Sequence, residues 1–285
     1  MSGRGLEDLH GNATLLPSAV LVQSAVRIGI MSLALYFCHG VSYFFLKKTT
    51  FRMKDVGQHN ELSYYFVHLL AALVLGIYGL SVYPFQPGFE DLEAREKIIN
   101  FFEMIPFGEM QIAYQIWSLP AGILFVPEPV AMLVHHSIVI VLGSVVAFST
   151  NAFRYYAPFF FGIVEISSIP LSIVNVFKSD KSLQDRFPTT NALFSGAFAL
   201  SFLYIRVYLL LQNIWDFGKL VFAMMVSCPG HDLPGTTLCM VPYFVTLICS
   251  ACLTLLQIFW AFKIIMHLLK VSGVMKKTKI FPKNE

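Results

Sequence analysis

Charged residues are scarce in this sequence. Asp, Glu, Lys and Arg make up 13% of its 285 residues, whereas a soluble domain of ordinary composition contains about 25%. Hydrophobic residues make up 56% of the chain. The composition argues against a soluble globular protein and predicts one that crosses a membrane several times. The net charge of +3 is small, and nothing in its distribution favours nucleic acid as a partner.

Cysteine is also rare, and the five residues match no metal-binding spacing. The histidines outside one adjacent pair are scattered singly, whereas a membrane metal enzyme needs them clustered. We therefore expect neither a metal site nor a bound cofactor. Cys228 and Cys239 differ from the other cysteines because they flank the polar loop PGHDLPGTTL. They form a disulfide if this loop lies in an oxidising lumen, or otherwise remain free thiols at helix ends.

Long apolar runs recur along the chain, and no strand pattern competes with them. Each run has about the 20 residues that a helix needs to cross a bilayer. The sequence therefore predicts an all-α fold, a polytopic membrane bundle of about seven transmembrane helices. The third run is the weakest and contains Pro120, which predicts a kink. The runs cover about residues 17–46, 62–83, 108–126, 129–149, 152–177, 191–214 and 240–269.

Lys and Arg are unevenly distributed among the loops between these runs. Most of them lie in the loops 47–54 and 178–186 and in the C-terminal tail. Basic loops favour the cytosolic side of a membrane, so seven spans place the N-terminus in the lumen and the tail in the cytosol. The predicted organisation is a lumenal N-terminus with the first transmembrane helix (1–51), a transmembrane domain (52–270) and a basic cytosolic tail (271–285).

His135 and His136 are adjacent in the run PVAMLVHHSIVIVLGSVVAFS, which has no other ionisable residue. Two imidazoles within a membrane span are costly unless they face a protein interior, a partner or a water-filled cavity. Neighbouring helix positions differ by about 100° around the helix axis, so the two rings point in different directions. The pair is the leading candidate for chemistry, and hydrogen bonding that locks helix packing is the alternative.

Three further polar residues fall inside predicted spans. Glu165 lies in the middle of FFFGIVEISSIPLS, and Arg206 lies in FLYIRVYLL of the next span. A charge at that depth must be neutralised or paired, so Arg206 is the natural partner of Glu165 if their helices touch. Glu165 could instead tune one of the two adjacent histidines. His68, in SYYFVHLLAALV, belongs to the same polar site or makes a helix–helix contact.

The order of these segments resembles the TLC-domain family (TRAM, LAG1 and CLN8 homology) over about residues 52–269. An early span with an internal histidine, SYYFVHLLAALV, is followed by the aromatic-rich segment AYQIWSLP and by the double-histidine span MLVHHSIVIV. The next span carries the acidic-Ser-Ser stretch EISS. The segment FALSFLYIRVYLL resembles the Phe…Arg helix of the family, and LLQIFWAFKIIMHLL resembles its last helix.

The resemblance implies helices arranged around a central cavity of lipid size. In the ceramide synthase branch, the double histidine serves acyl transfer from acyl-CoA to the amine of a sphingoid base. His135 and His136 would then be catalytic, one of them as nucleophile or base. This chain departs from that branch because the Asp-rich stretch downstream of the double histidine is here GIVEISSIP, with Glu165 as its single acidic residue. It is more similar to the CLN8-like and TLCD-like proteins, whose roles concern membrane lipids.

The expected function is therefore that of a multi-pass protein of the endoplasmic reticulum or another endomembrane, which binds or senses lipids and contributes to lipid homeostasis. The alternative is a ceramide synthase-type N-acyltransferase that uses the His135–His136 pair and takes acyl-CoA as co-substrate. A transporter is a third interpretation, suggested by the prolines inside spans and disfavoured by the lack of paired halves. Membrane lipids are the expected partners, with self-association into a homo-oligomer as a further option.

Overall fold

The protein is described here by a computed structural model that covers residues 16–49, 56–85, 101–126, 128–149, 153–227 and 236–272. These residues are almost entirely helical and contain no strand, which confirms the predicted all-α fold. The helices are α1 (Ser18–Thr49), α2 (Val56–Val82), α3 (Ile105–Phe125), α4 (Val130–Phe148), α5 (Ser168–Ser179), α6 (Lys181–Arg186), α7 (Pro188–Leu203), α8 (Leu210–Ser227) and α9 (Thr236–Val271).

Six helical segments of the described chain are long and apolar enough to cross a membrane. The predicted count of about seven is therefore approximate, and the third run explains the difference. This run does form a helix, α3, but Glu109, Gln111 and Gln115 lower its mean hydropathy. The six segments are Ser18–Lys48, Gly57–Val82, Val130–Phe148, Arg154–Ser179, Pro188–Phe222 and Val241–Val271.

Helix α3 lies at the centre of the bundle rather than at its edge. It packs against α1, α2 and α4, and most of its residues are buried, including Glu109, Gln111 and Gln115. Its aromatic residues complete the core on the α2 side, where Trp117 stacks on Tyr64 with ring centroids 5.1 Å apart. Because α3 is surrounded by other helices, its polar side chains meet protein partners instead of lipid.

Two glycine pairs let the helices approach closely. A Cβ atom on Gly79 of α2 would lie 2.7 Å from the backbone of Gly162, and one on Gly108 of α3 would lie 2.7 Å from the carbonyl oxygen of Gly143 in α4. Small residues at such crossings are typical of helix packing in membranes. The contact between Gly79 and Gly162 holds the π-helical turn that precedes Glu165 directly against α2.

Candidate functional site

Two cavities lie next to each other inside the bundle. The larger one, of about 440 Å³, is called the polar cavity because eight side chains of Glu, His, Lys and Arg line it. They are those of His68, Glu128, His135, His136, Glu165, Lys178, Arg206 and Lys263. The smaller one, of about 80 Å³, is called the apolar cavity because aliphatic and aromatic residues dominate its wall. Its wall includes Val139, Leu142, Val145, Val146, Phe161, Val164, Leu210, Ile214 and Leu253.

His135, Glu165 and Arg206 line both cavities. These three residues form the junction between a space for polar groups and a space for hydrocarbon. The polar cavity lies at the start of α4 and near the ends of α5 and α9, where it meets Lys178 and Lys263. The apolar cavity extends in the opposite direction along α4 and α9.

Glu165 and Arg206 are brought together by the structure, chiefly through a serine. Nη2 of Arg206 lies 3.7 Å from Oε2 of Glu165, and the same nitrogen donates to Ser168 Oγ at 2.8 Å. Ser168 Oγ in turn donates to Glu165 Oε2 at 2.7 Å. Ser167 accepts from Arg206 Nε at 2.6 Å. The acidic-Ser-Ser stretch therefore supplies both a counter-charge and two hydrogen-bond acceptors for the buried guanidinium, as a buried charge requires.

Both charged residues lie where the helices are irregular. Glu165 belongs to a 3₁₀ turn, Ile163–Ser167, which follows a π-helical turn, Pro158–Gly162. Arg206 belongs to a second π-helical stretch, Tyr204–Leu209. The prolines at positions 158 and 170 help explain the first irregularity, since proline lacks an N–H group and clashes with the preceding turn. Such irregular turns re-aim side chains and are frequent at functional sites.

His136 is buried, and its Nε2 lies 3.3 Å from Oε2 of Glu128 without the alignment of a hydrogen bond. The other oxygen, Oε1, accepts a hydrogen bond of 2.7 Å from the hydroxyl of Tyr64. This hydroxyl also lies 2.9 Å from Ser118 Oγ. Because the single proton of Tyr64 is directed to Glu128, Ser118 donates to Tyr64. A chain of polar groups thus runs from α3 through α2 to Glu128 and ends at His136.

Glu128 lies in the short connection before α4, outside the membrane-spanning segments. Burial opposes its ionisation, but the neighbouring His136, the Tyr64 hydroxyl and His68 outweigh this effect, so the pKa of Glu128 lies below its ordinary value of 4.5. The group is consequently an anion near neutral pH. An anion beside the ring of His136 stabilises any positive charge that forms there.

His135 points away from Glu128, as expected for its position on the helix. Its ring meets the ring of His136 edge-on, with centroids 5.7 Å apart, and packs edge-on against Trp260 at 5.5 Å. Nδ1 of His135 is buried and has no hydrogen-bond partner among the described residues. The two histidines therefore differ in role: His136 has a carboxylate neighbour, whereas His135 stands at the entrance of the apolar cavity.

His68 joins the same site from α2. Its Nδ1 lies 2.7 Å from Ser172 Oγ, and Ser172 Oγ donates to the carbonyl oxygen of Ser168 at 2.7 Å. Since the hydroxyl of Ser172 has one proton, Nδ1 of His68 is the donor in the first contact. In the neutral imidazole Nε2 is then an acceptor. His68 thus makes a helix–helix contact and lines the polar cavity as well.

The predicted disulfide between Cys228 and Cys239 lies outside the described residues, since the side chain of Cys239 is not among them, and it stays a prediction. Among the side chains that are described, no three of His, Cys, Asp or Glu lie close enough together to hold a metal ion. The side chains at the site carry imidazole, carboxylate, guanidinium and hydroxyl groups.

The double histidine, the acidic-Ser-Ser stretch and the buried arginine meet at one place, as the resemblance in the sequence implies. Residues 58–266 match the family model of the TLC domain. The chain belongs to the TLC-domain family. The match extends from α2 almost to the end of α9 and includes every residue that lines either cavity. A comparison with curated proteins gave no match.

Sequence reasoning missed two features of this TLC-domain protein. The first is Glu128, which lies between two prolines and eight positions before His136. Its position just before the double-histidine span could have indicated that it contacts the histidines. Arg27 of α1 forms a two-pronged ion pair with Glu109 of α3, with distances of 2.7 and 2.6 Å. Two opposite charges within apolar runs indicate such a pair only once the helices are known to be neighbours.

Proposed function

We propose that this TLC-domain protein binds a membrane lipid, with the hydrocarbon chain in the apolar cavity and the polar end of the molecule in the polar cavity. The single observation that carries the proposal is the junction of the two cavities at His135, Glu165 and Arg206. A lipid has the same division into an apolar chain and a polar end. Pockets that are mostly apolar, with a few convergent polar groups, are typical of ligand sites.

Unpartnered polar atoms in the polar cavity support this assignment. Among the described side chains, Nδ1 of His135, Nδ1 of His136 and Oε2 of Glu128 are buried without a hydrogen bond. A buried polar atom that lacks a partner costs free energy. The head of a bound lipid, or water that accompanies it, would satisfy these atoms. The aliphatic and aromatic side chains of the apolar cavity would gain from burying a hydrocarbon chain.

We further infer that the polar cavity opens toward the cytosol. Lys178 and Lys263 line it on the side where the basic loop 178–186 and the basic tail are predicted to lie. The role that fits best is lipid sensing or lipid homeostasis in an endomembrane. This role is the one expected of the CLN8-like and TLCD-like group. We favour that group over the ceramide synthases because Glu165 is the single acidic residue in the stretch after the double histidine.

The lipid-binding proposal is tested by filling the apolar cavity. Val139 of α4 is buried and lines this cavity, whereas Val141 on the same helix is 41% exposed. We expect the Val139→Phe variant, purified in mild detergent, to retain much less lipid in native mass spectrometry than the wild type. Val141→Phe is the matched control and should retain as much as the wild type. Equal retention by both variants, or none by the wild type, would overturn the proposal.

N-acyl transfer is the second candidate, and the contact between Glu128 and His136 favours it. In this reaction the nitrogen of a lipid amine bonds to the acyl carbon of an acyl-CoA, the carbon–sulfur bond breaks, and the thiol leaves. An imidazole next to a carboxylate can accept the proton that the amine loses and pass it to the thiolate. Glu128 would stabilise the imidazolium formed in between.

Purified protein incubated with a long-chain acyl-CoA and a long-chain amine decides between the two candidates. Turnover in the wild type that falls at least about a hundredfold in His136→Ala, with an unchanged melting temperature, would favour the transferase. Lipid retention without turnover would favour binding alone, and we expect this second result because the acidic stretch of the ceramide synthases is reduced here to Glu165.

A further inference from the structure

We propose that three aromatic side chains at the far end of the apolar cavity, Phe153, Tyr156 and Phe217, set the length of the hydrocarbon chain that the protein binds. The inference rests on the proposed lipid-binding function and deepens it by naming the residues that limit the bound chain. All three residues line the apolar cavity at the end away from His135. Each is 3% exposed, so the cavity ends at a wall that is itself buried.

The wall is held together by edge-to-face contacts. The ring of Phe217 meets those of Phe153 and Tyr156 with centroids 5.0 and 5.2 Å apart. Behind them lies a second buried layer, in which Tyr243 contacts Phe153 at 5.3 Å and Val221 is fully buried. Packed aromatic rings of this kind move little, because each is confined by its neighbours. A chain that reaches the wall therefore has no room to extend further.

Phe153 occupies its place at a conformational cost. Its backbone has φ 48° and ψ 37°, in the left-handed region that residues with a Cβ atom rarely adopt. Strain of this kind persists where the surrounding structure requires it, and it is common at functional positions. The strained backbone turns the Phe153 ring toward Phe217 and Tyr243, where it helps to close the cavity.

Two walls of the cavity give its length. On α4 the lining residues run from His135 to Val146, and on the antiparallel α9 they run from Gln257 to Thr246. Each distance corresponds to about 16 Å at a rise of 1.5 Å per residue. The two independent walls thus agree. The cavity is therefore elongated along the helix axes, and the aromatic side chains stand at the end of its long dimension.

The hydroxyl groups of Thr246 and Thr254 on α9 do not contradict an apolar occupant. Thr254 Oγ1 donates to the carbonyl oxygen of Ser250 at 2.8 Å, and Thr246 Oγ1 donates to that of Pro242 at 2.6 Å. Both hydroxyls are therefore satisfied by their own helix. The cavity wall needs no polar partner at these positions, which suits a saturated chain.

The experiment compares chain-length preference in two phenylalanine variants of α8. Purified protein is given a mixture of saturated fatty acids of increasing length at equal concentration, and the retained acids are identified by native mass spectrometry. We expect the wild type to prefer one length and Phe217→Ala to prefer chains that are longer by about three carbon atoms, roughly the reach of the lost ring. Phe222 is 70% exposed on the same helix, so Phe222→Ala should keep the wild-type preference.

A cavity-filling variant keeps the inference testable if Phe217→Ala fails to fold. Ser250 of α9 lines the middle of the cavity, and Ser250→Leu should shift the preference to shorter chains. If wild type retains fatty acids but neither variant changes the preferred length, the aromatic wall does not set it, although the lipid-binding function stands. If wild type retains no fatty acid of any length, the proposed function fails as well.

Discussion

The polar cavity and the apolar cavity share helices α4 and α9 but, apart from His135, receive different residues from them. Near the polar cavity, α4 contributes His136 and α9 contributes Lys263. Leu142, six positions after His136 on α4, and Leu253, ten positions before Lys263 on α9, line the apolar cavity. Polarity thus changes along the helix axes. One bundle can therefore hold a polar group at one end and a hydrocarbon chain at the other.

The two cavities also differ in how their walls are stabilised. Around the polar cavity, the buried guanidinium of Arg206 has hydrogen-bond partners on another helical segment, Ser167 and Ser168. Around the apolar cavity, the walls are held by packing of side chains such as Phe161 and Val146. The loss of one polar group should therefore cost more than the loss of one packed group on the other side.

Substitution of Glu165 and Arg206, the charged pair at the junction of the two cavities, should give the largest effect. Arg206→Met should lower the free energy of unfolding by about 3 kcal/mol, because Glu165 then stays buried without its counter-charge. Glu165→Gln should have a similar effect. The double variant should recover part of the loss when measured by unfolding in mixed detergent micelles. Losses that simply add in the double variant would mean that the two residues do not interact.

A second test uses an ion pair that lies outside both cavities. Arg27→Met should lower the free energy of unfolding by about 2 kcal/mol, because Glu109, which is 1% exposed, loses two hydrogen bonds. Lipid retention in native mass spectrometry should remain at the wild-type amount, since neither residue lines a cavity. A loss of retention as large as that of Val139→Phe would show that the bundle responds as a whole and that the cavities are not separate sites.

The smallest effect is expected at Glu128 and depends on pH. Glu128→Gln should cost about 1 kcal/mol at neutral pH, because the charged partner of Tyr64 is lost. The pKa of Glu128 is lowered from 4.5, so its stabilising effect is complete above that pH and is lost as pH falls through the lower pKa of the folded protein. The melting temperatures of wild type and variant should therefore converge in acid.

The matched control is Asp185, an exposed carboxylate on α6. At neutral pH, Asp185→Asn should leave the melting temperature at the wild-type value. A difference between wild type and Glu128→Gln that stays constant into acid would show that the group is not ionised at neutral pH, contrary to its contacts with Tyr64 and His136.

The spans could be predicted closely because membrane helices must satisfy their backbone internally and face lipid with apolar side chains. The predicted run 129–149 became Val130–Phe148, and the run 240–269 became Thr236–Val271. The number of spans was predicted less closely because of α3. This helix contains Glu109, Gln111 and Gln115 and is enclosed by other helices, so it does not need the hydropathy of a lipid-facing helix.

Residues of the candidate site could be predicted where a polar side chain interrupts an apolar run. A histidine pair, a glutamate and an arginine inside apolar runs each demand a partner, whatever the fold. The identity of some partners was not predictable, since Glu128 lies 64 positions from Tyr64 and outside every predicted span. Ser167 and Ser168 were visible in the sequence, but their role as acceptors for Arg206 required two helices to be placed side by side.

The sequence by itself determined that this protein is an all-helical membrane protein of the TLC-domain family, because composition and the order of motifs are properties of the chain alone. The tertiary structure decided that His135, Glu165 and Arg206 stand where two cavities meet, and that Phe153, Tyr156 and Phe217 close one of them. These relations depend on helix crossings at Gly79 and Gly108 and on irregular turns around Glu165 and Arg206. Packing between distant segments fixes such geometry, and no local pattern in the chain encodes it.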